Sequence, residues 1–127
     1  MSAQIMVMEI NGTNFEVELY YNKAVRDLVR SLPQRISMSR WGDEYYGTLA
    51  RNIASSDPRQ DVFAVGEVAL WPSGNALCIF FGPTPASHAD EPRMASPGVP
   101  LGRIKGDATP LKEFDPSLQG VSLSLKQ

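Results

Sequence analysis

The chain contains one cysteine and one histidine among its 127 residues. A single cysteine excludes an internal disulfide. With a single histidine there is no four-ligand Cys/His set of the kind a structural zinc takes. Metal binding would have to rest on carboxylates, and the acidic pairs Asp43-Glu44 and Asp90-Glu91 lack calcium-loop spacing. Charge of one sign is missing too: 12 basic against 14 acidic side chains leave a net charge of -2, so there is no basic footprint for nucleic acid or an anionic membrane. No stretch approaches the roughly 20 apolar residues of a membrane span, and the start, MSAQIMVMEI, has neither the basic residues nor the long apolar run of a secretory signal. These absences predict a soluble cytoplasmic protein with no nucleic-acid and no membrane partner. A glycine-rich phosphate loop is also lacking, since Gly66, Gly74 and Gly82 read as turn glycines, and no cofactor is expected.

What is present fits one domain, residues 1–127, long enough to bury a core without staples. The densest apolar passage is GEVALWPSGNALCIFFGPTP, Gly66 to Pro85. Within it Val68 to Trp71 predicts one strand, Pro72 to Asn75 a turn, and Ala76 to Phe81 a strand apolar on both faces, which belongs in the centre of a sheet. Cys78 lies inside that strand and reads as a small buried hydrophobe, suited to a reducing compartment.

Upstream, Gln4 to Ile10 and the alternating Phe15, Val17 and Leu19 flank Asn11-Gly12, the signature of a hairpin with a tight turn. Asn22 can cap a helix carrying Ala24, Val25, Leu28, Val29 and Leu32 at helical spacing, with Pro33 forbidding continuation. Gln34 to Trp41 predicts a third strand, followed by WGDEYYG, where aromatics and carboxylates interleave. Trp41, Tyr45 and Tyr46 either line a binding surface or close the end of a barrel. Leu49 to Asp61 predicts a surface loop with a turn at Asp57-Pro58, then a short strand at Val62 to Ala64.

Gly82 to Gly98, with four prolines, predicts a long irregular loop, either functional or a disordered flap. Strand character returns at Val99 to Ile104, a short helix is expected at Pro110 to Phe114 with Thr109 as cap, and Val121, Leu123 and Leu125 alternate in a terminal strand. Seven or eight short strands with few helices is the pattern of a small antiparallel barrel.

WGDEYY at Trp41 to Tyr46, the Asp57-Pro58-Arg59 turn, GEVALWPSGNALCIFFGPTPAS and GRIKGD at Gly102 to Asp107 together resemble the small cyclophilin-like barrel family of bacteria and archaea. The resemblance spans nearly the whole chain. It implies a mainly β fold: a closed eight-stranded antiparallel barrel with one main helix and one short helix capping its ends. It implies no activity, because members are grouped by fold. The larger relatives are the peptidyl-prolyl isomerase cyclophilins, whose strand ending in paired phenylalanines resembles Ala76 to Phe81 and nominates Phe81 for the proline pocket. Their phenylalanine-histidine-arginine triplet has no counterpart in QRISMSRWGDEYY, so the catalytic arginine role passes to neither Arg35 nor Arg40.

Together these features predict a barrel that binds a small molecule or extended peptide in a surface cleft. The candidate ligand-binding residues are Arg40, Trp41, Glu44, Tyr45, Tyr46, Phe81, Pro83, Ser87, His88 and Arg103, with no catalytic residue and no metal ligand assigned. The alternative is a prolyl isomerase with a non-standard active site. Cys78 and His88 make a poor nucleophile and base, since the thiol sits in a buried strand and nothing is identified to orient the histidine. A homodimer through the barrel rim or the long loop is a further expectation.

Overall fold

The computed structural model describes residues 4–126. Asn11 and Gly12 both take positive φ, +50° and +82°, and join β1 (Ile5–Ile10) to β2 (Thr13–Leu19) as the hairpin the dipeptide predicts. Asn22 then caps α1 (Lys23–Arg30), accepting a hydrogen bond from the Val25 amide at 2.8 Å. A carboxylate also reaches this helix start from afar: Asp57 accepts from the Lys23 and Ala24 amides at 3.2 and 3.0 Å. The Asp57-Pro58 turn is thereby a helix clamp, since a carboxylate is stabilised by the unpaired amides at a helix N-terminus.

Next come β3 (Gln34–Arg40), β4 (Glu44–Thr48), β5 (Gln60–Val62), β6 (Glu67–Trp71), β7 (Ala76–Phe80), β8 (Arg93–Ile104) and β9 (Ser117–Leu125). Every pairing is antiparallel. Eight strands run β2-β1-β9-β3-β4-β7-β6-β8, and β8 returns to β2 through Val17 and Ile104, which closes the ring. The short β5 pairs with β8 outside the ring. Because β2 and β8 are antiparallel, α1 after β2 and the 3₁₀ turn Thr109–Glu113 after β8 fall at opposite ends. The turn inserts Leu111, fully buried, while Phe114 packs edge-on against Phe15 at 6.2 Å.

Side chains alternate across a strand, so each wall has two faces. Inside the ring, Met6, Met8, Val17, Leu28, Met38, Tyr45, Leu77, Ile79, Phe81, Leu101 and Leu123 belong to one continuous core. Outside it, Phe63, Ala69, Cys78, Phe80 and Met94 form a second, smaller cluster with Trp71 against it. This outer cluster is covered by the first half of β8 and by Phe63, which stacks on Phe80 at 4.8 Å.

Three expectations need correction. The strand expected at Val62 to Ala64 is Gln60–Val62, and Phe63 turns inward as part of the outer cover. β8 begins at Arg93, six residues before Val99, so the irregular loop is only 82–92. Pro97 is accommodated in the part of β8 that pairs with the peripheral β5, where a missing N–H is tolerated. The helix at Thr109 has Ala108 at its cap, because Thr109 instead donates its amide to Asp107 at 3.0 Å.

The loop 82–92 is not a loose flap. Ser87 Oγ accepts from the Thr84 amide at 2.8 Å, and Glu91 accepts from the amides of His88 and Ala89, each at 2.8 Å, and from Arg93 at 3.1 Å. The His88 and Ala89 amides, with Arg93, hold the Glu91 carboxyl down to about 2. Gly42, at φ +63°, admits this loop: a Cβ there would lie 2.7 Å from Pro85 Cδ and 2.9 Å from Thr84 Cα.

Candidate functional site

On the outer face of β4, β6 and β7 the register lays small residues between large ones. Tyr46 stands opposite Cys78, which stands opposite Ala69, and Ala76 stands opposite Trp71. Ala69 and Cys78 are the small, buried residues of this face. Trp41, Tyr46 and Trp71, with Met94 and Ala95 from the start of β8, rise around a cavity of about 280 Å³. The Trp71 indole is held in place by donating to Ser96 Oγ at 2.7 Å. Aromatic walls of this kind combine wide apolar area with polar edges.

One charged side chain completes the lining. Glu44 sits opposite Phe80 on β4, only 3% exposed, and its Oε1 is buried without a hydrogen-bond partner. Burial pushes its carboxyl up to about 7, only partly offset by the nearby Cys78 thiol. That thiol directs its hydrogen bond to the Ala76 carbonyl, at 3.9 Å, and leaves Oε1 unsatisfied. Burial, with Glu44 beside it, pushes the Cys78 thiol well up, so the sulfur stays protonated and unreactive. Native proteins leave few buried polar atoms unpaired, which makes this oxygen the most informative atom in the cavity.

Of the ten nominated residues, Trp41, Glu44 and Tyr46 lie on the cavity, and the others stand elsewhere. Arg40 is a strut: its Nε donates to Gly42 O at 2.8 Å, its two terminal nitrogens to Lys112 O at 3.0 Å and Asp43 Oδ1 at 2.7 Å, and its guanidinium covers the Phe81 ring at 5.1 Å. Tyr45 and Phe81 point into the barrel core, 5.5 Å apart, with the Tyr45 hydroxyl donating to Asp115 O at 2.6 Å. Phe81 is therefore placed inside, and its neighbour Phe80 occupies the outer face. Pro83, Ser87 and His88 belong to the bonded loop, where the Pro83 carbonyl accepts from the Asp43 amide at 2.9 Å. Arg103 is exposed on β8, in register with Glu18 and Glu67, away from the cavity.

Sequence reading missed Trp71, Met94 and Ala95. Trp71 alternates with the inward Val68 and Leu70, so strand phase alone puts it outside. Met94 and Ala95 carried no signal, because their stretch read as loop.

A closed antiparallel ring of eight strands, with α1 at one end and the 3₁₀ turn at the other, is the architecture of the cyclophilin-like class. The chain belongs to the Cyclophilin-like family, whose model matches residues 3–121. It is similar to the hypothetical protein AF2241 from Archaeoglobus fulgidus, known from a solution structure, with 31% identity, coverage of 98% of this chain and 96% of that one, and a TM-score of 0.81. No curated protein matches. Among the described residues, no helix is long and apolar enough to cross a membrane.

Proposed function

We propose that this barrel is a small-molecule binding protein whose site is the outer cleft walled by Trp41, Tyr46 and Trp71, with Glu44 at its base. The observation that carries this reading is the buried, unpartnered Glu44 oxygen. A group of this kind costs stability and is tolerated where something other than the protein partners it. The cavity, at about 280 Å³, lies just below the usual range for small-molecule sites, about 300 to 1,000 Å³, and suits a compact ligand better than a peptide laid lengthwise. The buried free thiol of Cys78 fits a reducing compartment such as the cytoplasm.

Prolyl isomerisation requires selective binding of the twisted amide, usually by a donor beside an apolar pocket. Arg40 is a poor donor for this, since all three of its nitrogens are engaged by the protein. The reading as a binding protein therefore takes precedence over the isomerase.

Both tryptophans of the chain line the cleft, so their emission reports its occupancy. A metabolite screen that follows tryptophan emission together with thermal stabilisation is expected to give compounds scoring in both. A proline tetrapeptide assay should show no acceleration over the uncatalysed rate. Acceleration lost on substituting Glu44 would replace this reading with the isomerase.

A further inference from the structure

We propose that the cleft recognises a small organic cation, an alkylated ammonium group held between Trp41, Tyr46 and Trp71 with the Glu44 carboxylate as its counter-charge. This rests on the reading of the cleft as a ligand site and names the ligand class. Three of the six lining residues are aromatic, two of them tryptophans, whose ring faces attract cations best. Met94 adds a polarisable sulfur. The one side chain lining the cavity that can carry a carboxylate charge, Glu44, is buried, and its Oε1 has no hydrogen-bond partner.

The neighbouring charges leave that carboxylate uncompensated. At the end of β3, Arg40 is bound by Asp43, which also receives Lys112 Nζ at 3.9 Å. At the start of β8, Arg93 is held by Asp61 of β5 at 2.9 Å and by Glu91 of the loop at 3.1 Å. From β7 Glu44 faces the neutral Cys78 thiol, and from its own strand Tyr46. Among the described residues no ion pair reaches Glu44, so an ammonium group would supply the charge that its surroundings lack.

The alternative occupant is a neutral carbonyl compound, which would accept a hydrogen bond from the protonated acid. The two classes differ in the sign of their pH dependence. Glu44 titrates at about 7, so a cation that needs the carboxylate binds more tightly as pH rises and levels off above that value. A carbonyl ligand that needs the acid binds more weakly over the same interval.

The test titrates the intact protein with choline, with its neutral isostere 3,3-dimethylbutan-1-ol, and with N-acetylproline amide, reading tryptophan emission. Choline is expected to outbind the isostere at about pH 8, and to bind about tenfold more weakly at about pH 6, as the ionised fraction of Glu44 dictates. Glu44→Gln should erase both the preference and the pH profile while leaving the isostere's binding. The wild-type pH profile stands as a test even if that variant folds poorly. Equal binding of choline and isostere at about pH 8, or binding of the proline amide that weakens as pH rises, overturns the cation and keeps the ligand site. Silence of the tryptophans toward all three probes overturns both.

Discussion

The two faces of the β4–β7 wall are built from consecutive residues, and they obey different rules. On the inner face Tyr45 and Phe81 are buried in the main core, and the single polar atom there, the Tyr45 hydroxyl, has its partner in Asp115 O at 2.6 Å. On the outer face Glu44 is buried as deeply, yet its Oε1 has none. The inner face is consistent with selection for stability alone: apolar area removed from water, every polar atom satisfied. The outer face keeps a costly group next to a cavity, and such local violations of folding rules concentrate where a protein binds or reacts.

The largest expected effect breaks the inner face. Phe81→Ala removes a ring that packs on Tyr45 and supports the Arg40 guanidinium, and should cost about 3 to 5 kcal/mol, as buried Phe-to-Ala truncations do. Urea unfolding gives the number. Because Phe81 lies inside, native tryptophan emission and its response to cleft ligands should stay as they are. A normal unfolding midpoint with altered ligand response would move Phe81 to the outer face and dissolve the comparison.

The next effect is on the outer face and has the opposite sign. Glu44 titrates at about 7 in the folded protein against an ordinary 4.5, so between these values the folded state holds a proton that the unfolded state has lost. The contribution of Glu44 to stability is then fullest below about pH 4.5, falls as pH rises through 7, and levels off, a loss on the order of 3 kcal/mol. Glu44→Gln removes the titration. The variant should show no such decline between about pH 5 and 8, and at about pH 8 it should be the more stable protein. Unfolding curves across that range check it; a decline that persists in Glu44→Gln would locate the titration elsewhere.

How much of this was legible in the sequence divides along the same line. Local signals were readable: Asn11-Gly12 set the first hairpin, Asn22 and Pro33 bracketed α1, and the two apolar faces of Ala76 to Phe81 placed β7 between two neighbours in the ring. That last signal also explains a failure. A strand apolar on both faces carries no alternation, so nothing local says whether Phe80 or Phe81 points inward. The first half of β8 was unreadable because Pro97 and small residues mask a strand that exists by pairing with β5 and covering Phe80. The cleft was half legible: Trp41, Glu44 and Tyr46 adjoin in sequence, whereas Trp71 and Met94 reach it only through the sheet order. That Glu44 is buried depends on that cover, since a carboxylate between aromatics in sequence reads as surface.

The smallest effect tests whether polar atoms on the two faces act in opposite directions. Tyr45→Phe deletes only the hydroxyl that donates to the Asp115 carbonyl, on a residue exposed enough for water to take over part of the bond. The cost should be about 1 kcal/mol, the net worth of one intramolecular hydrogen bond. No pH slope between about pH 5 and 8 should be gained or lost, because the Tyr45 hydroxyl is raised by burial from an already high value and stays protonated throughout. Removing a polar function then destabilises when it is taken from the inner face and stabilises, at about pH 8, when the charge is taken from the outer one. Parallel unfolding of the two variants decides the matter. If Tyr45→Phe matched the wild type while Glu44→Gln lost stability at about pH 8, Glu44 would be a satisfied structural group, and the outer face would have no more claim to a ligand than the core.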